Sequence, residues 1–130
     1  MKKILVLSVI LLCLCVFQSC STKSCQNNII DVVKLSDSVY REEYLFYAGG
    51  VFGGDITYSY LTDSMSFRVY VGKYDDNGMI IYNVCPNDSI KAYKITDIGL
   101  IKHRYDTSFL QSYSVSVLRE NNVFEIPCVK

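Results

Sequence analysis

The chain has 130 residues, of which 13 are basic and 13 acidic, so its formal net charge is zero. Eleven tyrosines, only two prolines and a 50% hydrophobic composition exclude a disordered chain. The balanced charge excludes the basic face that a nucleic-acid partner wants.

Lys2 and Lys3 open the chain, and Ile4 to Phe17 follows as an apolar run broken only by Ser8. The run is too short for a helix across a ~30 Å hydrocarbon core, which takes roughly 20 residues. A basic start, a short apolar core and small residues beyond it are the pattern of a secretory signal peptide. The run closes on Phe17-Gln18-Ser19-Cys20. This tetrapeptide resembles the lipobox of bacterial lipoproteins, in which an apolar and a small residue precede a lipid-accepting cysteine. The resemblance covers Met1 to Cys20 only. It implies cleavage before Cys20, a diacylglycerol on Cys20 and attachment to a membrane through that lipid. Two or more acyl chains hold a protein stably. Ser21, rather than Asp, is similar to the outer-membrane sorting choice of Gram-negative lipoproteins. The expected division is a signal peptide over 1–19, a lipid-anchored flexible tether over 20–28, and a single β-rich globular domain over 29–130.

The part after the leader has 111 residues, enough for one domain. It keeps all 13 acidic but only 11 basic residues, a net charge of −2, which excludes a polybasic membrane-surface role. Of six cysteines, Cys13 and Cys15 leave with the leader and the resemblance gives Cys20 to lipid. Cys25, Cys85 and Cys128 remain. Export permits disulfides. The expected bridge is Cys85–Cys128, with Cys25 free or intermolecular in the tether. The alternative is that Cys85 and Cys128 are small buried apolar residues. No C-x-x-C occurs and His103 is the sole histidine, so neither a metal nor another cofactor is expected.

In chain order, Ile29 to Leu35 reads as a strand or one helical turn, and Ser36-Asp37-Ser38 as a turn or cap. Val39 to Tyr47 is rich in aromatics and leans to strand. Gly49 to Gly54 marks a turn or bulge. It lacks the strand–loop–helix context of a phosphate cradle, because Asp55 to Leu61 reads as a strand. Phe67, Val69 and Val71 alternate with polar or small residues, Asp75 to Gly78 supplies turn chemistry, and Met79 to Val84 returns. Ser66 to Val84 is thus the expected hairpin. The acidic turn lacks calcium-loop spacing. Cys85 to Asp88 turns, and Ser89 to Ile95 and Gly99 to Tyr105 are further strands with a turn at Asp106 to Ser108. Leu110 to Leu118 fits a strand or a helix. Val123 to Val129 is a last edge strand, where Pro127 is tolerated. Strands every eight to twelve residues predict an all-β or β-rich α+β fold after a cleaved leader: a small antiparallel meander, sandwich or barrel.

No catalytic constellation stands out, and no enzyme is expected. His103 lies between Lys102 and Arg104 without a motif partner. Glu42 with Glu43, and Asp75 with Asp76, would point to opposite strand faces as solvated charges. Asp37-Ser38-Val39, Asp63-Ser64-Met65 and Asp88-Ser89-Ile90 each resemble the O-glycosylation acceptor motif of one large group of Gram-negative bacteria. That resemblance marks Ser38, Ser64 and Ser89, although Asp-Ser pairs are also ordinary turn chemistry. Tyr70, Tyr74 and Tyr82 form a candidate binding surface for an envelope protein or glycan. The expectation is a non-enzymatic, lipid-anchored binding module of the cell envelope. The alternatives are an inhibitor or immunity-type lipoprotein acting on a secreted enzyme or toxin, and an envelope enzyme.

Overall fold

The structure, a computed structural model, describes residues 28–47, 54–97 and 104–128. Among these the chain runs through β1 (Ile29–Ser36), β2 (Val39–Tyr47), β3 (Asp55–Thr62), β4 (Arg68–Tyr74), β5 (Gly78–Cys85), β6 (Ser89–Asp97), β7 (Tyr105–Ser114) and a short helix, α1 (Val115–Asn121). The strands form two antiparallel sheets, β1-β2-β3-β4 and β5-β6-β7, neither closed into a barrel. The β-rich antiparallel expectation is met.

Each sheet is a meander, because its connections are short and carry turn residues. Ser38, Ser64, Asn87 and Asp88 all adopt positive φ, between 59° and 67°. Such angles suit Asn and Asp, which tolerate the left-handed region best. β2 and β3 pair without a break, from Tyr40 opposite Thr62 to Tyr47 opposite Asp55. Side chains alternate across a strand, so this register sends Val39 and Leu61 to one face and Tyr44, Tyr58 and Tyr60 to the other. The first face meets the second sheet. Val39, Leu61, Phe67, Ile90, Ala92, Tyr113 and Val115 form the core there, drawn from both sheets and the helix. Full burial of a side chain such as Leu61 or Phe67 contributes about 1.5–3 kcal/mol. β3 is buried without interruption from Thr57 to Thr62, since both faces of its sheet are covered.

The link from β3 to β4 is organised by one carboxylate. Asp63 Oδ1 accepts the backbone N–H groups of Met65 (3.0 Å), Ser66 (2.6 Å) and Phe67 (3.0 Å). Its Oδ2 faces Arg119 Nε of α1 at 3.3 Å. The helix is thereby tied to the turn. It ends at Asn122, whose φ of 51° and N–H bond to Leu118 O close the last turn.

Three expectations are corrected, and one open alternative is resolved. The Ser66 to Val84 hairpin does not form: β4 and β5 belong to different sheets. The turn itself is present, with Gly78 N donating to Asp75 O at 3.1 Å, but it carries the chain across the core. Alternation specifies a buried face, not the neighbour on the edge, so β4 pairs with β3 and β5 with β6. Asp106 to Ser108 is not a turn but part of β7. Leu110 to Leu118 is both expected things in succession, strand to Ser114 and helix from Val115. The expected edge strand Val123 to Val129 is a single parallel bridge, Phe124 beside Arg68, before the turn at Pro127 and Cys128. The leader over 1–19, lipidation at Cys20, most of the tether, the Gly-rich stretch up to Gly53 and most of the expected Gly99 to Tyr105 strand with His103 lie outside the described residues.

Candidate binding surface

The sandwich has two outer faces, and they differ in cover. On β1–β4, the outer face carries Tyr44, Tyr58 and Tyr60, with Phe46, Ile56 and Tyr70 around them and Cys128 packed on top. The rings meet edge to face or tilted: Tyr44–Tyr60 at 5.6 Å, Tyr60–Tyr70 at 5.7 Å, Tyr58–Tyr70 at 6.0 Å. These are favourable arrangements for ring quadrupoles. Glu42 Oε2 is the polar centre of this face. It accepts from Tyr44 Oη and Arg68 Nε, both at 2.8 Å. Burial, and then the bond to the Glu42 carboxylate, push the Tyr44 hydroxyl up to about 12.

The C-terminal segment closes this face. Arg68 N donates to Val123 O at 2.9 Å, and Glu125 N donates back to Arg68 O at 2.8 Å. The Glu125 carboxylate accepts from Tyr70 N. Cys128 N donates to Tyr60 Oη at 2.7 Å. The Arg68 guanidinium lies 4.6 Å from the Phe124 ring centre.

The outer face of β5-β6-β7 has no such cover among the described residues. Ile80 turns inward, its Cδ1 2.9 Å from where a Cβ on Gly72 would stand. Met79 and Ile81 therefore point outward. Register aligns Met79 with Ile95 and Ile81 with Tyr93. Across β6 and β7, Tyr93 pairs with Phe109, rings 5.5 Å apart. Met79 is 50% exposed, Phe109 57% and Tyr105 64%. One end of this face is a groove of about 560 Å³, with Met79, Ile95 and Tyr105 as its apolar lining and Asp76 and Asp97 at its rim. Among the described residues no basic side chain lines it.

The residues singled out from sequence do not gather into one site. Tyr70 lies in the closed outer cluster. Tyr82 lies on the opposite side of the first sheet, between the sheets, its hydroxyl 2.5 Å from Ser59 Oγ. Burial holds that hydroxyl well above the usual phenol range. Burial and the neighbouring Glu43 carboxylate push Tyr74 up to about 12. The expected Tyr70, Tyr74 and Tyr82 surface is therefore corrected: the register shift in β4 between Tyr70 and Gly72 turns Tyr74 to the other face, beside Thr57 and Glu43, and the crossing at residues 75–78 carries Tyr82 to the second sheet. The Cys85–Cys128 bridge is corrected too. Cys85 is a free, half-buried thiol, whereas Cys128 is disulfide-bonded. Cys85 ends β5 opposite Ser89, while Cys128 packs on the far face of the other sheet.

Glu42 and Glu43 do point to opposite faces, but they are buried and paired rather than solvated. Glu42 meets Arg68, and Glu43 lies 3.6 Å from Arg41. Asp75 and Asp76 are exposed in their turn. Ser38 and Ser64 are exposed at turn tips, while Ser89 is half-buried at the start of β6, 3.4 Å from Ser112 Oγ. Among the described residues no group of three or more His, Cys, Asp or Glu could hold a metal ion. No described helix is long and apolar enough to cross a membrane.

Sequence reading missed the Met79, Ile81, Tyr93, Ile95, Tyr105 and Phe109 face. Its signal was present. β5 and β6 carry apolar residues on both alternating sets, which a half-buried strand does not need. Comparison with protein-family models, curated proteins and solved structures returns no match for this chain.

Proposed function

We propose that this protein is a non-enzymatic, lipid-anchored module of the cell envelope that binds a protein partner through the outer face of β5-β6-β7. The observation that carries the binding reading is the contrast between the two outer faces. One aromatic face is closed by the protein's own C-terminal segment; the other leaves Met79, Tyr105 and Phe109 open beside an acid-rimmed groove. Apolar patches rimmed by polar residues are the usual mark of an interaction site. A glycan would use the aromatic rings, but the aliphatic Met79 and Ile95 favour a protein surface, one with an apolar centre and basic flanks. The lipobox-like Phe17 to Cys20 supports the anchor. The bridged Cys128 supports an oxidising compartment, where disulfides persist.

The test is in-cell crosslinking from the outer face, followed by capture with Met79→Lys and Phe109→Lys variants. Loss of a specific crosslinked protein in both variants, with Tyr70→Ala unaffected, is the expected result. Unchanged capture in both lysine variants overturns the assignment of the face. A glycan in place of a protein would overturn the choice of partner. The intact mass of membrane-extracted protein checks the anchor, as acyl chains on a chain beginning at Cys20. The same mass reads glycosylation. Ser38 and Ser64 are better placed acceptors than Ser89, because their turn tips are exposed.

A further inference from the structure

We infer that the free edge of β7 pairs with the same edge of a second copy of this chain, antiparallel and centred on Thr107. Two open sheets leave four edge strands among the described residues, β1, β4, β5 and β7. An unpaired edge is a template for another strand, and proteins blunt it with bulges, Lys, Pro or cover. β1 has register shifts towards both ends and exposes Lys34. β4 carries the C-terminal segment, through Val123 and Glu125 on Arg68 and the Glu125 carboxylate on Tyr70 N. β5 packs beside β1 and β4. From Tyr105 to Phe109, β7 shows no such device among the described residues. Its pairing with β6 is unbroken there, from Asp97 opposite Tyr105 to Tyr93 opposite Phe109. All five residues are exposed, and none is Lys, Arg or Pro. The register shift comes after them, at Leu110, and α1 begins further on, at Val115.

Self-complementarity selects both the occupant and the register. A two-fold axis perpendicular to the sheet keeps outer face beside outer face. With the axis at Thr107, Tyr105 stands opposite the partner's Phe109, Asp106 opposite the partner's Ser108, and Thr107 opposite its own counterpart. Aromatic pairs and Thr–Thr pairs are favourable directly across a sheet. With the axis at Asp106, two carboxylates oppose each other, which is destabilising. With the axis at Ser108, Asp106 meets the partner's Leu110 and the rings part. A two-fold pair uses each β7 edge once, so it closes and does not grow into a fibre. The product is a six-stranded sheet, β5-β6-β7 continued by its copy. Its outer surface carries both acid-rimmed grooves, with Tyr105 and Phe109 of the two copies between them. The inference rests on the edge and stands without the partner proposed for the face. Where both hold, two linked sites engage a multivalent partner more tightly than one.

The experiment uses full-length protein purified from cells, its mass measured by size exclusion with light scattering over a dilution series. The parent should show twice the chain mass. Thr107→Lys, which sets like charges opposite each other at an exposed position, should show the single-chain mass with unchanged circular dichroism. Crosslinking reads the register independently. Cα atoms directly opposite in antiparallel strands lie about 4.5–5.5 Å apart, within reach of a disulfide. In a Cys85→Ser background, mild oxidation of Thr107→Cys should link the tryptic peptide Tyr105–Arg119 to itself. Ser108→Cys should link to Asp106→Cys in a mixture and not to itself. A single-chain mass for the parent at every concentration, or a Thr107→Lys variant that stays paired, overturns the inference. Self-linking by Ser108→Cys and not by Thr107→Cys overturns the register. A different protein crosslinked to Thr107→Cys in cells, with no self-linked species, overturns the choice of a second copy. Met79→Lys, on β5 across the sheet from this edge, should leave the pair intact whatever it does to partner capture, so the two readings fail separately.

Discussion

The backbone N–H of Cys128 donates to the hydroxyl of Tyr60 across 68 residues of sequence, at 2.7 Å. Tyr60 is 1% exposed and Cys128 9%. The bond satisfies a donor that the irregular C-terminal segment cannot satisfy within itself. It also fixes that segment on the tyrosine face.

Tyr60→Phe should therefore destabilise the fold by about 1–3 kcal/mol, the cost of a buried N–H left without its acceptor. Urea unfolding checks this. A midpoint equal to that of the parent would show that the segment finds another acceptor.

Asp63 predicts an acid-sensitive turn. Burial alone would raise its pKa, but three backbone N–H bonds outweigh that and hold the carboxyl at about 2, below its ordinary 3.8. A depressed carboxylate stabilises the fold fully above its unfolded pKa and progressively less as pH falls through the folded value. The stability of the parent should decline between about pH 4 and pH 2. Asp63→Asn should be less stable at neutral pH and show a shallower decline across that window. Urea midpoints at each pH measure both.

Between the sheets, Ser59 Oγ and Tyr82 Oη are each other's partners at 2.5 Å. Removing either hydroxyl leaves the other buried and unpaired. Ser59→Ala and Tyr82→Phe should each cost about 1–3 kcal/mol. The double variant should cost less than the two summed, because it leaves no orphan. Strict additivity would show that the hydroxyls do not act as a pair.

The buried phenols predict an alkaline limit. Burial, and then nearby carboxylates, push Tyr44 and Tyr113 up to about 12 from 10. A raised pKa means the fold favours the neutral phenol. That contribution is complete below about pH 10 and is lost as pH rises through about 12. Tyrosinate absorbance and circular dichroism followed together should show these rings ionising as the fold is lost. Tyr44→Phe should weaken the pH dependence in this window. Ionisation of all described tyrosines near pH 10 without unfolding would contradict their burial.

Local residues carried much of the fold. The Asp-Ser and Pro-Asn-Asp turns, the aromatic run of β2 and the alternation of β3, β4 and β6 were each legible as short-range chemistry. The end of β7 was legible only as an ambiguity, since Leu110 to Leu118 satisfies two periods at once. Ser66 to Val84 misled, because a good turn between two good strands says nothing about whether they pair. The binding surface was hardest to read. Tyrosine is equally suited to a core, a cover and an interface, so Tyr70, Tyr74 and Tyr82 looked alike in sequence.

By itself the sequence determined that this is a strand-rich domain with turns where the chain reverses, because strand period and turn chemistry act within a few residues. Only the tertiary structure decided which strands share a sheet, that Cys128 is bridged while Cys85 is free, and that one aromatic face is covered while the apolar face of β5-β6-β7 stays open. Those outcomes depend on which surfaces meet across the core, a competition among segments distant in sequence that no local pattern encodes.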